Sequence, residues 1–289
     1  MTRLSPAARR SIGLLVLLGL AVIWQGLSMI YRAEAQPGEP MVAGWPHLFT
    51  QTLLSLSDYW QGGFGVRSVA EGARRSYTAA FLTLAVNGGI TMLRVLGGLA
   101  VGSLLGAILG LAVSWSSWGR RIIDLPMQFL RTLPLLAMVP LFQLWFGTNL
   151  IGQIAFTAYG VGVIVFSGTV NAVANVPAIF IDNARTLGAS RSQIYRGIIL
   201  PAIFPAMRAT IMLALGAAWS AVLGAEYLGA QSGLGYIIVY AQQFAYLDRM
   251  FLIALVIVIC AAASYVTFDR LSRRLLVWLP RAARTEHGS

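Results

Sequence analysis

Lysine is absent from the 289 residues, and all 21 basic side chains are arginine. A phosphate loop of the form GxxxxGK[ST] needs its lysine to reach the nucleotide phosphates. This chain carries no such site, so any ATP-driven work falls to a partner. Cysteine is nearly absent too. The one residue, Cys260, sits in an apolar run; it supports neither a disulfide framework nor a metal cluster and reads as a small buried hydrophobe. The two histidines, His47 and His287, lie in loop or tail sequence without neighbouring ligands, so no metal site is expected. Charge is scarce altogether, at 11% of residues against 57% hydrophobic. Soluble domains carry about a quarter charged residues, so water is not the main solvent of this chain. The few charges are lopsided, with a net charge of +11. In a soluble protein that excess would suggest nucleic acid. In a membrane chain it reports which side of the bilayer each loop faces, and no nucleic-acid partner is expected.

What is present is a series of apolar runs, each near the roughly 20 residues a bilayer core requires. The first, residues 11–30, follows Arg3, Arg9 and Arg10. It is longer than the apolar region of about 7–15 residues in a cleaved leader, which favours a retained span. Residues 31–89 form a mixed segment, periplasmic or interfacial. Within it Leu48, Phe49, Leu53, Leu56 and Trp60 recur at helical spacing. That pattern suits a helix lying at the lipid interface or one packed on the protein's own core.

Arg94 interrupts the next apolar stretch. The choice is one span at 95–115 preceded by an interfacial helix, or two spans. With one span, Arg120, Arg121, Arg185, Arg191, Arg196, Arg270, Arg273, Arg274, Arg281 and Arg284 share the side of the basic N-terminus. That obeys the positive-inside rule. Further spans follow at 127–146, 154–176, 203–228 and 250–268. Pro134 and Pro140 should kink the third. Gly98, Gly102, Gly106 and Gly110, spaced four apart, make a face that another backbone can approach closely. The expected fold is all-α and polytopic, with six transmembrane helices and both termini cytoplasmic. Its organisation is a cytoplasmic tail and first helix at 1–30, the periplasmic or interfacial segment at 31–89, a five-helix core at 90–268, and a basic cytoplasmic tail at 269–289.

One polar island breaks the apolar pattern, "DNARTLGASRSQIYRGIILP" at 182–201. Residues 178–187 suit a short helix with Asp182 near its positive end. Gly188 is where a left-handed cap would close it. Ser190 and Gln193 have the S/T-x-x-E/Q spacing of a capping box that opens a second helix, and Pro201 should stop or kink that helix. Leu187, Ile194 and Tyr195 read as apolar knobs, with Arg185, Arg191 and Arg196 as basic edges. An ordinary connector is about 4–6 residues long. A loop of about 25 residues with two punctuated helices reads better as a docking surface than as a plain linker.

The island also resembles the signature loop of inner-membrane permeases of ABC importers, whose pattern is EAA, three residues, Gly, nine residues, then I-x-L-P. Asp182, Asn183 and Ala184 stand for EAA, followed by Gly188 and by Ile198 to Pro201. Asp-Asn replaces Glu-Ala. "LRTLPLLAMVPLFQLWFG" at 130–147 and "GLGYIIVYAQQF" at 233–244 are similar to the sulfonate, nitrate and taurine permeases, and the resemblance covers roughly residues 91–279. It implies the type I ABC importer permease fold in a bacterial inner membrane, with a cytoplasmic coupling loop at 178–201. It implies a cytoplasmic ATPase dimer that binds ATP and Mg, a second permease copy, and a periplasmic or lipoprotein substrate-binding protein. No cofactor is bound by this chain itself, and catalysis lies on the partner. The cargo would be a small anion such as a sulfonate, nitrate or taurine. Alternatives are another small organic solute, such as an aromatic acid or vitamin precursor, a channel or carrier outside this family, or a polytopic membrane enzyme.

Three side chains remain. Glu226 lies 18 residues after Arg208, about 27 Å along a helix, which puts the acid near the outer face. It lines a pathway or, more simply, anchors neighbouring backbone. Arg94, at the outer end, and Arg131, near the inner one, could pair with acids or with an anion, but snorkelling is the simpler reading of both. Trp219, in mid-span, lines the pathway or packs in the core, and packing is the simpler reading.

Overall fold

The computed structural model describes residues 6–31, 34–36 and 39–275. Arg3, Arg32, Arg281, Arg284 and His287 lie outside them. Among the described residues the chain is helical apart from one small antiparallel ribbon, β1 (Glu34–Gln36) with β2 (Glu39–Pro40), and an isolated bridge between Gly63 and Val66. The helices are α1 (Pro6–Ile30), α2 (Tyr77–Trp115), α3 (Ser117–Thr132), α4 (Leu135–Phe146), α5 (Leu150–Ala174), α6 (Ala178–Thr186), α7 (Arg191–Tyr227), α8 (Leu234–Gln243) and α9 (Leu247–Leu275). Five are long and apolar enough to cross a membrane, or six if the bent pair α3–α4 counts as one span. The chain forms two compact units, one of Met1–Gly88 with Tyr236–Ile257, the other of Gly89–Gly235 with Val258–Ser289.

In the first unit a helical run from Trp45 to Tyr59 follows the ribbon. Leu48, Leu56 and Trp60 are buried while Phe49 is exposed. Of the two readings open for this run, the packed one holds. Trp45 Nε1 donates to the Ala21 carbonyl and Trp24 Nε1 to that of Ala43. Trp24 stacks on Phe251 at 3.9 Å. Indoles satisfied this way bury their rings without stranding a donor. Thr52 donates to the buried Asp248 at 2.6 Å, and burial pushes the Tyr59 phenol up to about 12.

The second unit is organised by close helix contact. On α2, a Cβ at Gly102 would sit 2.6 Å from the Ala158 carbonyl oxygen, and one at Gly106 2.5 Å from that of Gly162. The glycine stripe is therefore a backbone-to-backbone seam with α5. Gly106→Val puts a branched side chain where only hydrogen fits. Repacking cannot relieve a clash with backbone, so the loss should exceed the 1–3 kcal/mol typical of an overpacked core. Thermal unfolding of detergent-purified protein should then lose its cooperative transition, and wild-type behaviour would refute the seam. Elsewhere in this unit Val139, Phe156, Ala221 and Ala225 join α4, α5 and α7 in one buried cluster.

Three expectations are corrected. Residues 77–115 are one unbroken helix of 39 residues, not an interfacial helix followed by a span. The predicted span at 127–146 is not one kinked helix but two, bent by 107°. Pro134 drives its predecessor Leu133 out of the helical region (φ −70°, ψ 127°), and is itself extended. At about 24 Å and 18 Å, neither piece alone spans a bilayer core of about 30 Å. Third, of the stop or kink expected at Pro201, the stop does not occur. The backbone widens into a π turn at Tyr195–Ile199, where the Leu200 N–H reaches back to the Tyr195 carbonyl. That turn makes room for the proline ring, and α7 runs on to Tyr227.

Candidate functional site

The polar island folds by local rules. The helix α6 closes in a left-handed cap at Gly188, φ +78°. The Gly188 N–H donates to the Arg185 carbonyl at 2.9 Å and the Ala189 N–H to that of Ala184 at 3.0 Å. This paired closure is a Schellman motif, and the positive φ it needs suits glycine. The capping box follows. Ser190 Oγ accepts from the Gln193 N–H, while Gln193 Oε1 accepts from the Ser190 N–H at 2.8 Å. Two helix ends thus meet within four residues with their backbone groups satisfied.

The structure divides the predicted island residues into two sets. Ile194 is buried (6% exposed), and Tyr195 is half-buried. The Tyr195 hydroxyl donates to the Leu111 carbonyl at 2.8 Å, and its ring meets Trp115 edge-on at 4.6 Å. Arg191 donates to the Trp115 carbonyl, and its guanidinium lies 5.0 Å from the centre of that indole. Ile194 and Tyr195, read as outward knobs, and Arg191, read as a basic edge, turn back onto the protein instead. They brace the island on the end of α2. The outward set is Leu187, 87% exposed, with Ile179, Phe180, Asp182, Asn183 and Arg185. Ala184 is half-buried and Pro201 exposed. Asp182 accepts from Arg185 at 3.4 Å, an exposed pair one turn apart that contributes little. Ile179 and Phe180 enlarge this exposed face.

A second polar cluster lies deep in the same unit. Arg94 is 3% exposed and Glu226 1%. Arg94 Nη1 donates to Glu226 Oε1 at 2.6 Å and to the Ser232 carbonyl at 2.7 Å, and Nη2 to Ser232 Oγ. Thr91 Oγ1 and the Gly235 N–H also donate to the Glu226 carboxylate. A Cβ at Gly233 would collide with that carboxylate, so the turn before α8 closes over it only as glycine. Arg94 therefore does not snorkel. A guanidinium here is paired because an uncompensated charge among apolar helices costs several kcal/mol. Glu226 anchors backbone, as the simpler reading held, but its main partner is Arg94, 132 residues away. The signal available in the sequence was two opposite charges at similar depth in different spans. Trp219 is buried and donates to Ser264 Oγ at 3.0 Å, which is packing. Arg131 is exposed at the end of α3.

The sequence profile of binding-protein-dependent transport system inner membrane components matches residues 102–277. The chain is 32% identical over 207 residues to the aliphatic sulfonates transport permease protein SsuC of Escherichia coli (strain K12), covering 70% of this chain and 79% of that one. It is 30% identical over 188 residues to the taurine transport system permease protein TauC of the same organism, covering 65% and 68%. Among solved structures, an inward-facing MetNI methionine ABC transporter superposes with a TM-score of 0.54 at 21% identity, over 67% of this chain and 94% of that chain. An amino acid ABC transporter with histidines gives 0.50 at 18%, over 75% and 100%. The architecture is the type I ABC importer permease fold. With the residues 102–277 matched and the apolar helices in place, the chain belongs to the family of binding-protein-dependent transport system inner membrane components, multi-pass permeases of ABC importers.

Proposed function

We propose that this permease carries a small sulfonate-type anion, works as a pair of identical copies, and is driven through its polar island by a cytoplasmic ATPase. The observation that carries the coupling role is the island's geometry. It is a rigid helix–turn–helix whose exposed face combines apolar Ile179, Phe180 and Leu187 with charged Asp182 and Arg185. Apolar anchors with a charged rim are the composition of a protein interface. Asn183 and Ala184 lie on or beside that face and Gly188 closes it, Arg191, Ile194 and Tyr195 fix the island to the end of α2, and Pro201 lies in the helix that continues from it. Arginine-rich ends and loops support a cytoplasmic side for both termini and the island. The names of the relatives, aliphatic sulfonates and taurine, support the substrate class.

In this reading ATP and Mg bind the partner, whose closure moves the island. Substrate arrives on a binding protein from the other side. Purified alone, the chain should hydrolyse no ATP. Reconstituted with its ATPase, the complex should respond to a sulfonate-loaded binding protein with faster hydrolysis and uptake. Hydrolysis by the isolated chain would overturn the proposal.

A further inference from the structure

A second protein-facing surface lies in the first unit, outside the residues 102–277 matched by the family. Between Trp60 and Gly72 the chain is stapled at three levels. At the base, Arg75 grips Asp58 with two parallel hydrogen bonds, Nε at 2.8 Å and Nη2 at 2.7 Å, a geometry that adds direction to attraction. In the middle, the buried Trp60 donates its indole N–H to the Val66 carbonyl at 2.9 Å. Beside it, Ser68 and Glu71 close a reciprocal capping box. At the tip, the Val66 N–H returns to the Gly63 carbonyl at 2.9 Å, and Phe64 and Gly65 occupy the turn at φ +50° and +75°.

Two consecutive positive φ values with that hydrogen bond make a type I′ turn, whose first central position favours Gly, Asn or Asp. Phenylalanine there is strained. Its ring gains little burial in return, only a loose stack on Trp60. It is 82% exposed, and its centre lies 6.4 Å from that of Trp60. Strain held by a stiff frame to present an apolar ring to solvent points to a partner. Arg67 and Arg74 are exposed in the same loop. An aromatic anchor flanked by arginines is the usual make-up of an interface hot spot. A tip that merely dipped into lipid would need no fixed backbone geometry, whereas a pre-organised one loses less entropy on docking.

We infer that Phe64, with Arg67 and Arg74, forms a docking tip for the substrate-binding protein, meeting an apolar pocket with an acidic rim. This inference rests on the proposed transport reading, which places residues 31–88 on the side from which substrate arrives.

The test uses the full permease–ATPase complex in nanodiscs and the purified binding protein that stimulates its ATP hydrolysis. Phe64→Gly removes the ring and relieves the backbone, and should weaken binding at least tenfold with unchanged basal hydrolysis. Phe64→Trp should stay within threefold of wild type. The double variant Arg67→Glu, Arg74→Glu should weaken binding more at low salt than at high salt. A nitroxide on Phe64→Cys, in a Cys260→Ala background, should be accessible to a water-soluble relaxant and become shielded when the binding protein is added. Binding of Phe64→Gly within twofold of wild type overturns the inference, as does a nitroxide accessible only to oxygen, which would place the tip in lipid. If no binding protein stimulates the wild-type complex, the transport reading fails and takes the inference with it.

Discussion

Replacing Gly188 with aspartate should abolish substrate uptake, by a hundredfold or more, while the chain still inserts and folds. Gly188 has φ +78° and open space where a Cβ would project. Aspartate tolerates the left-handed region better than most residues, and its strain is about 1–2 kcal/mol, so the α6 cap should survive. The damage lies outside the chain. A carboxylate would stand next to Leu187 on the surface proposed to seat in the ATPase. An unpaired charge forced into an interface costs several kcal/mol, enough to uncouple the two proteins. Gly188→Ala separates strain from charge, and should keep most of the uptake. The check is transport in proteoliposomes alongside a melting curve of the purified chain. Wild-type uptake by the aspartate variant would mean that the island does not couple.

Removing either member of the Arg94–Glu226 pair should be the most damaging change to folding. Arg94→Ala leaves the Glu226 carboxylate buried without its cationic partner, though Thr91 and the Gly235 N–H still donate to it. Breaking a buried pair in this way costs about 3–5 kcal/mol, comparable to the whole stability of many domains. Glu226→Ala strands the guanidinium and should be as severe. The double variant should be less severe than either single change, because it buries no lone charge. Fluorescence-detected size exclusion of membrane extracts reads all three: aggregation for the singles, partial recovery for the double. Singles that elute and melt like wild type would show that the pair contributes nothing.

The two sites differ in how far their residues announced them. The island's turn was legible because every device in it is local. Gly188, Ser190 and Gln193 act on backbone within five residues of themselves, so spacing alone specifies the geometry. The direction of its side chains was not legible. Ile194 and Tyr195 look like anchors for a partner, but the nearest apolar surface is the end of α2, some eighty residues earlier in the chain. Only the tertiary fold decides between those two surfaces. The Arg94–Glu226 pair was passed over for the same reason: pairing with an acid was open for Arg94, but nothing local named Glu226 as that acid, and snorkelling read as simpler. The break at Leu133 and Pro134 was also open. A proline signals a departure from the helix, but not whether the chain bends slightly or turns through 107°.

The π turn at Tyr195–Ile199 has a mechanical consequence. Because it absorbs Pro201, α7 begins at the island and ends beside the buried pair without a chain break. Arg191 and Glu226 stand about 52 Å apart along one rod. A tilt of about 10° about one end of a rod that long sweeps the other by about 9 Å. Moved as one body, α7 would carry a displacement at the island to its far end, where Arg94 and the Gly235 N–H hold Glu226.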